Sequence, residues 1–332
     1  MLDIAKSFQA KLDVKDRKIL YELDLDARQP LSQLAKKVGL SKEVVNYRIG
    51  RLKDADVIRG FYARIDTSKL GMTLFRTFIR LQNITPQKEK EFVEFINSNP
   101  AIGFFVEVEG RFDFNFIYWA RSSAQYIDFW KELNSKYGKY IENKELHILH
   151  YYANLPKGFL IGKKDLSNGF FECGLGKEVK IEELDLSILN ILAKEARLPL
   201  VEISRRLGTS DKVAAYRIKK LEDLKVIHSY GVQLGLGKIG LFYYKIHIYF
   251  QNYSQERHKD LRNFAISHPN VVYIDECLGG PDFEMELYLP SKEEYYNFLQ
   301  ELRHKFSDMI RDFETIYYPQ EFKLVLFPWK GK

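Results

Sequence analysis

Lys42, Glu43, Val44, Asn46, Tyr47, Arg48 and Arg51 follow Gly39 and Ser41 at a spacing that puts them on one outward face of a short helix. Arg and Asn side chains can pair bidentately with base edges, and Lys, Arg and Tyr can hold phosphates. The face occurs twice. An offset of 169 positions carries Gly39 onto Gly208 and presents Asp211, Lys212, Val213, Ala215, Tyr216, Arg217 and Lys220 in the same places. Arg48 and Arg217 have a second use open to them, because either can instead bridge to an acid of its own domain.

A second candidate lies at two glycine turns. Gly110, Gly279 and Gly280 would let backbone N–H groups approach a carboxylate, and Asp113 and Asp282 could receive an amino group. Equally, each glycine can simply make a hairpin and each aspartate cap its turn. Metal chemistry has little to build on. His147 and His150 stand three apart on a predicted strand and face opposite sides, and Cys173 and Cys277 form no CxxC pair. The stretch from Leu234 to Gly240 looks like a phosphate loop but lacks the Ser or Thr that would hold magnesium, and reads as a hinge. No metal site and no cofactor are expected.

The elements that must position these residues come from a duplication. At the one offset Asp16 meets Asp185, Ala27-Arg28 meets Ala196-Arg197, Tyr47-Arg48-Ile49 meets Tyr216-Arg217-Ile218, and Asp113 meets Asp282, without a gap. Each copy opens with three short helices. Leu31, Leu34, Ala35 and Val38 form the apolar stripe of the second, Gly39 turns the chain, Ser41 caps the third, and Val45, Ile49 and Leu52 are its core face. That is a helix-turn-helix, and the alternating run from Val57 to Ile65 reads as its wing. A βαββαβ, ferredoxin-like pattern follows. The fold class is α+β: a winged helix-turn-helix over 12–66, an effector and dimerisation domain over 72–155, a glycine-containing linker of little structure over 156–183, a second winged helix-turn-helix over 184–235 and a second βαββαβ domain over 241–327. The last strand is expected from Ile316 to Val325.

The strings "DxxIL", "DARxPL", "GLS", "YRIxxL" and "VIxG" from Asp13 onward, with their copy and the following βαββαβ pattern, resemble the Lrp/AsnC transcription regulators. The resemblance covers nearly the whole chain apart from the linker and the extreme ends. It implies binding of double-stranded DNA, pairing through the βαββαβ sheets, and capture of an amino acid or related small molecule near the hairpin turn. The tandem fusion departs from the usual single unit, and Gly235 and Gly237 change the second wing. Self-association is expected within the chain and possible between chains. A rival on a similar fold is sirohaem decarboxylase, but neither hairpin region carries that group's His or Cys-Tyr pair. The net charge of +6 permits nucleic-acid binding without arguing for it. No stretch is apolar enough to span a membrane and no signal-peptide pattern opens the chain, so a cytoplasmic regulator rather than an enzyme is expected.

Overall fold

The computed structural model describes residues 9–163, 169–174 and 176–328. The first copy opens with α1 (Val14–Leu25), α2 (Leu31–Val38) and α3 (Lys42–Asp54). Asp13 and Asp16 close a reciprocal capping box at the start of α1. Gly39 ends α2 with φ of 66°, where a Cβ would be strained, and the Ser41 hydroxyl accepts from the Val44 N–H. The chain continues through β1 (Ile58–Ile65), β2 (Thr73–Leu81), α4 (Pro86–Ser98), β3 (Ile102–Glu107), β4 (Phe114–Ala120), α5 (Ser123–Tyr137), β5 (Ile141–Asn154) and β6 (Phe171–Cys173). The second copy repeats the order as α6 (Glu183–Leu192), α7 (Leu200–Leu207), α8 (Asp211–Asp223), β7 (Ile227–Leu234), β8 (Phe242–Phe250), α9 (Gln255–Ser267), β9 (Val271–Leu278), β10 (Phe283–Leu289), α10 (Lys292–Phe306), β11 (Ile310–Tyr317) and β12 (Glu321–Leu324).

The expected wings are not free. β1 pairs antiparallel with β7 of the other copy, from Ile58 opposite Leu234 to Ile65 opposite Ile227. A lone strand has unpaired N–H and C=O groups, and here each copy supplies the other's partner. Reciprocal backbone bonds extend the exchange: Ala27 N–H to Tyr230 O and Ala196 N–H to Phe61 O, both at 2.9 Å, then Ala10 N–H to Lys238 O at 2.8 Å and Val179 N–H to Lys69 O at 2.9 Å. Each helix-turn-helix is therefore seated on the strand of its counterpart.

The βαββαβ domains join into one sheet in the order β11-β8-β10-β9-β5-β2-β4-β3-β12, with β6 on β5. β5 pairs with β2 along its first part and with β9 of the other copy along its last. β11 and β12 do the same work in the second copy. β11 pairs with β8, and β12 with β3 of the first copy. The single strand expected at 316–325 is thus two, starting earlier and broken at Pro319. That residue lacks an N–H and stands where the first copy has His150. The linker also differs from expectation. Leu160, Phe171 and Cys173 are buried, and β6 pairs with Tyr152–Asn154 of β5, beyond the reach of β2, because these apolar side chains find cover there. Residues 164–168 and 175 of that segment lie outside the described residues. The hinge read at Leu234–Gly240 is a short 3-10 turn, Leu236–Ile239, ended by Gly240 at φ of 72°.

Alternation along the strands makes two layers. Phe75, Ile79 and Leu81 pack under α4 and α5, and Tyr244, Ile246 and Ile248 under α9 and α10. The intervening residues, among them Arg76, Phe78, Lys245 and His247, point into a middle layer between the two halves.

One buried ionic cluster occurs in the first copy alone. Asp24 on α1 receives Arg64 Nη2 at 2.8 Å and Lys157 Nζ at 2.5 Å, tying helix, β1 and linker together. The corresponding residues of the second copy are Ala193, Gln233 and Leu326. Burial pushes the Asp24 carboxyl up, but Lys157 and Arg64 outweigh it and hold it below its ordinary value. A depressed folded pKa means the stabilisation is complete above about pH 3.9 and is lost as pH falls through the folded value. Asp24→Asn leaves two cations buried without their counter-charge, so it should destabilise the chain by about 3–5 kcal/mol at neutral pH, read from urea denaturation. An unchanged midpoint would mean that the cluster contributes nothing.

Candidate nucleic-acid interface

The two third helices present matching outer faces. On α3, Lys42, Glu43, Val44, Asn46, Tyr47 and Arg51 are exposed, while Val45, Ile49 and Leu52 are buried against α1 and α2. On α8, Asp211, Lys212, Val213, Ala215 and Tyr216 are exposed over buried Ala214, Ile218 and Leu221. Tyr47 and Tyr216 stand 71% and 67% exposed, an unusual position for two aromatic rings on helices that bury an apolar stripe elsewhere. Such a face offers donors, phosphate partners and apolar surface together.

The arginines are arranged differently from a pair of base readers. Arg48 Nη1 lies 2.7 Å from Asp13 and 2.8 Å from Asp16, and Arg51 Nη2 lies 2.6 Å from the other oxygen of Asp16. Arg217 Nη2 reaches Glu182 at 2.6 Å and Arg217 Nη1 reaches Asp185 at 3.4 Å, with Lys220 3.9 Å from the same aspartate. Hydrogen bonds donated to Asp13 and Asp16 hold the Arg48 guanidinium above its ordinary pKa, and one donated to Glu182 does the same for Arg217. The physical reason is the burial of Asp16 and Asp185, which need a cation at hand. Arg48 and Arg217 therefore brace the third helix on the first, the second of the two uses the sequence left open. Glu43 turns back on the helix start, where its own backbone N–H and the Ser41 hydroxyl hold its carboxyl below the usual range.

The hairpin turns are similarly occupied. Asp113 accepts from the Leu81 N–H at 2.6 Å and from Arg80 at 2.9 Å, and Asp282 accepts from the Phe250 N–H at 2.7 Å. Both carboxylates thus fasten the turn to the first strand of their domain. Gly110, Gly279 and Gly280 have φ of 139°, 79° and 87°. A Cβ on Gly280 would come within 2.4 Å of the His147 ring, so the second turn lies directly on a strand of the first copy. His150 is exposed while His147 is buried, so the two do not converge.

A cavity of 680 Å³ adjoins the first hairpin and opens between the β1–β7 pair and the strands. Glu107, Glu109 and Glu321 line it together with Arg59, Lys238 and Tyr318. Burial, then the nearby charges of Glu89, Glu109 and Asp113, push the Glu107 carboxyl up. The sequence did not single this cavity out, because its walls come from both copies. The same is true of Arg28 and Arg197. Each donates to a backbone carbonyl of the opposite copy, Arg28 to Ala196 and Arg197 to Ala27, a role hidden in a repeated Ala-Arg pair.

Comparison with known proteins matches residues 12–59 and 181–228 to a winged helix-turn-helix DNA-binding family. The transcriptional regulator AldR of Mycolicibacterium smegmatis is 38% identical over 92 residues, 27% of this chain and 54% of that protein. The chain thus spans about half the length of that relative. The transcriptional regulator LrpA of Pyrococcus horikoshii is 30% identical over 128 residues, 39% of this chain and 87% of its own length. The crystal structure of the siroheme decarboxylase NirDL superposes with a TM-score of 0.63 at 14% identity, covering 94% of this chain and 93% of that one, a likeness of fold.

The bracing of α3 sets an expectation for stability. Arg48→Ala leaves Asp16 with Arg51, and should cost about 1.5–3 kcal/mol, the range for hydrogen bonds to charged groups. Adding Arg51→Ala leaves a buried carboxylate unpaired, so the double variant should lose more than the sum of the two single losses. Urea denaturation of the three variants measures this. Strict additivity would place the brace elsewhere.

Proposed function

The chain belongs to the Lrp/AsnC family of winged helix-turn-helix regulators, and on that footing we propose that one chain acts as a built-in dimer reading an asymmetric site on double-stranded DNA. The observation that carries this reading is the pair of exposed faces on α3 and α8, held in one scaffold but unlike in sequence. Asn46 can pair with adenine, whereas Ala215 in its place can only touch a thymine methyl. Lys42-Glu43 is replaced by Asp211-Lys212, which moves the lysine by one position. Half-sites of such paired helices lie about one helical turn, 34–36 Å, or a multiple of it apart.

The bracing arginines divide the labour. Arg48 and Arg217 set the angle of the reading helix, and Arg51 and Lys220, less enclosed, remain close enough to the surface to hold phosphates. Lys42, Val44, Asn46 and Tyr47 read one half-site, and Lys212 and Tyr216 the other. Affinity falls steeply with salt, because phosphate neutralisation releases counterions.

A small zwitterion, an amino acid or a related metabolite, is the effector that suits the cavity beside the first hairpin. The cavity's lining holds carboxyl groups, Glu107, Glu109 and Glu321, together with the cations Arg59 and Lys238, and can meet both charges. Gly110 and Asp113 shape the turn next to the cavity-lining Glu109 without ligating through the aspartate, and Gly279, Gly280 and Asp282 shape the second turn, which lies on His147. The cavity lies against the β1–β7 pair that carries both helix-turn-helices, so an occupant would bear on their relative setting.

Selection of bound sites from random duplexes, with and without a pool of amino acids, tests the reading. The expected consensus has two unequal halves, and added amino acids change the affinity for it. Asn46→Ala should lose about 1–3 kcal/mol at an adenine in one half and leave the other untouched. A perfect palindrome would contradict the asymmetric reading, as would Asn46→Ala and Lys212→Ala weakening the same half.

A further inference from the structure

The middle layer between the two halves carries charge that packing alone does not require. Arg76 and Lys245, each fully enclosed, face Asp275, Glu284 and Glu286. All three acids come from the second copy, where the first has Val106, Asn115 and Ile117. The layer thus sets two cations among three carboxyl groups, and burial pushes that of Glu286 up.

Glu284 divides its two oxygens. Oε2 takes both Arg76 and Lys245. Oε1 faces a different company: Cys277 Sγ at 3.5 Å, His147 Nδ1 at 3.6 Å and His247 Nε2 at 3.7 Å. The ligand atoms of His147, Cys277 and Glu284 all lie within 4.8 Å of one another. His147 and His247 are 1% and 0% exposed, and none of their ring nitrogens makes a hydrogen bond shorter than 3.5 Å; the second nitrogens, His147 Nε2 and His247 Nδ1, face Glu145 and Glu314 at 3.6 Å each. Buried imidazoles usually find one.

We propose that His147, Cys277 and Glu284 form a site for a borderline-soft divalent cation of the zinc or cobalt kind, with His247 beside the remaining position. Sulfur, imidazole nitrogen and one carboxylate oxygen are a donor set for that class. In a tetrahedral zinc site, bond lengths of about 2.0–2.3 Å place donors roughly 3.3–3.7 Å apart, close to the spacing at Glu284 Oε1. A divalent ion that binds Cys277 Sγ displaces the thiol proton to solvent.

The site's position gives it a role. His147 stands on β5 of the first copy, and Cys277 and Glu284 on β9 and β10 of the second. Leu149 is the register partner of Cys277 across the β5–β9 seam. An ion there cross-links the two copies beneath the exposed Gly279-Gly280 turn, so binding stabilises the closed pair by mass action.

Cobalt titration of the full chain, followed by absorbance, tests the assignment. The wild-type chain should take one cobalt ion with a thiolate-to-cobalt charge-transfer band, zinc should bleach that band, and either ion should raise the unfolding temperature. Cys277→Ser should lose the band. Cys173→Ser should keep it, because Cys173 donates to Asp66 at 3.0 Å away from this layer. Absence of a sulfur band in the wild type overturns the proposal whatever the variants do, and so does a band that survives in a folded Cys277→Ser.

Discussion

The antiparallel pairing of β1 with β7 is the constraint on which the rest depends. Each strand is one of a pair that its own copy does not complete. Once the two meet, each helix-turn-helix is fixed on the other copy's strand through the reciprocal bonds of Ala27 and Ala196. The same logic governs the larger sheet. β5 and the bent β11–β12 each leave their own domain halfway along and finish on the other, so the two βαββαβ units share both edges. Backbone hydrogen-bonding groups demand partners, and the duplication supplies them within one chain.

Fusion also frees the copies to diverge. Two identical chains must carry every substitution twice, whereas here the buried acids Asp275, Glu284 and Glu286 occur on one side alone. So does the Asp24–Arg64–Lys157 cluster. His247 in the second copy meets Phe78 in the first, at 5.4 Å between ring centroids, although the two occupy equivalent positions. The middle layer is thus asymmetric at its most polar point, while the backbone around it keeps the repeated pattern. The two reading faces differ in the same manner, over cores that agree.

Much of this was legible before the structure. Apolar spacing placed the three helices of each copy, Gly39 and Ser41 marked the turn and cap, and the βαββαβ order followed from alternation. What stayed hidden depends on which copy a residue meets. Val57–Ile65 looked like a wing because alternation marks a strand but not its partner. The strand expected at Ile316–Val325 was misplaced because alternation runs on through Pro319, whose missing N–H breaks the ladder. Arg48 was left with two uses, base contact or a bridge within its domain, because the acids that engage it, Asp13 and Asp16, lie more than thirty residues away along the chain. His147 was set aside beside His150, since a linear search pairs near neighbours, and its true neighbours Cys277 and Glu284 sit in the other copy.

The account stands on pairing within the chain, and a cross-strand disulfide tests that most directly. Gly60 and Gln233 are register partners on β1 and β7. Directly opposite Cβ atoms on antiparallel strands lie about 4.5–5.5 Å apart, near the range a disulfide spans with slight adjustment. A chain carrying Gly60→Cys and Gln233→Cys, oxidised at high dilution, should form that bond within single chains and migrate as an internally closed monomer. Disulfide-linked dimers in place of the closed monomer, or two free thiols under the same oxidation, would contradict the intrachain pair.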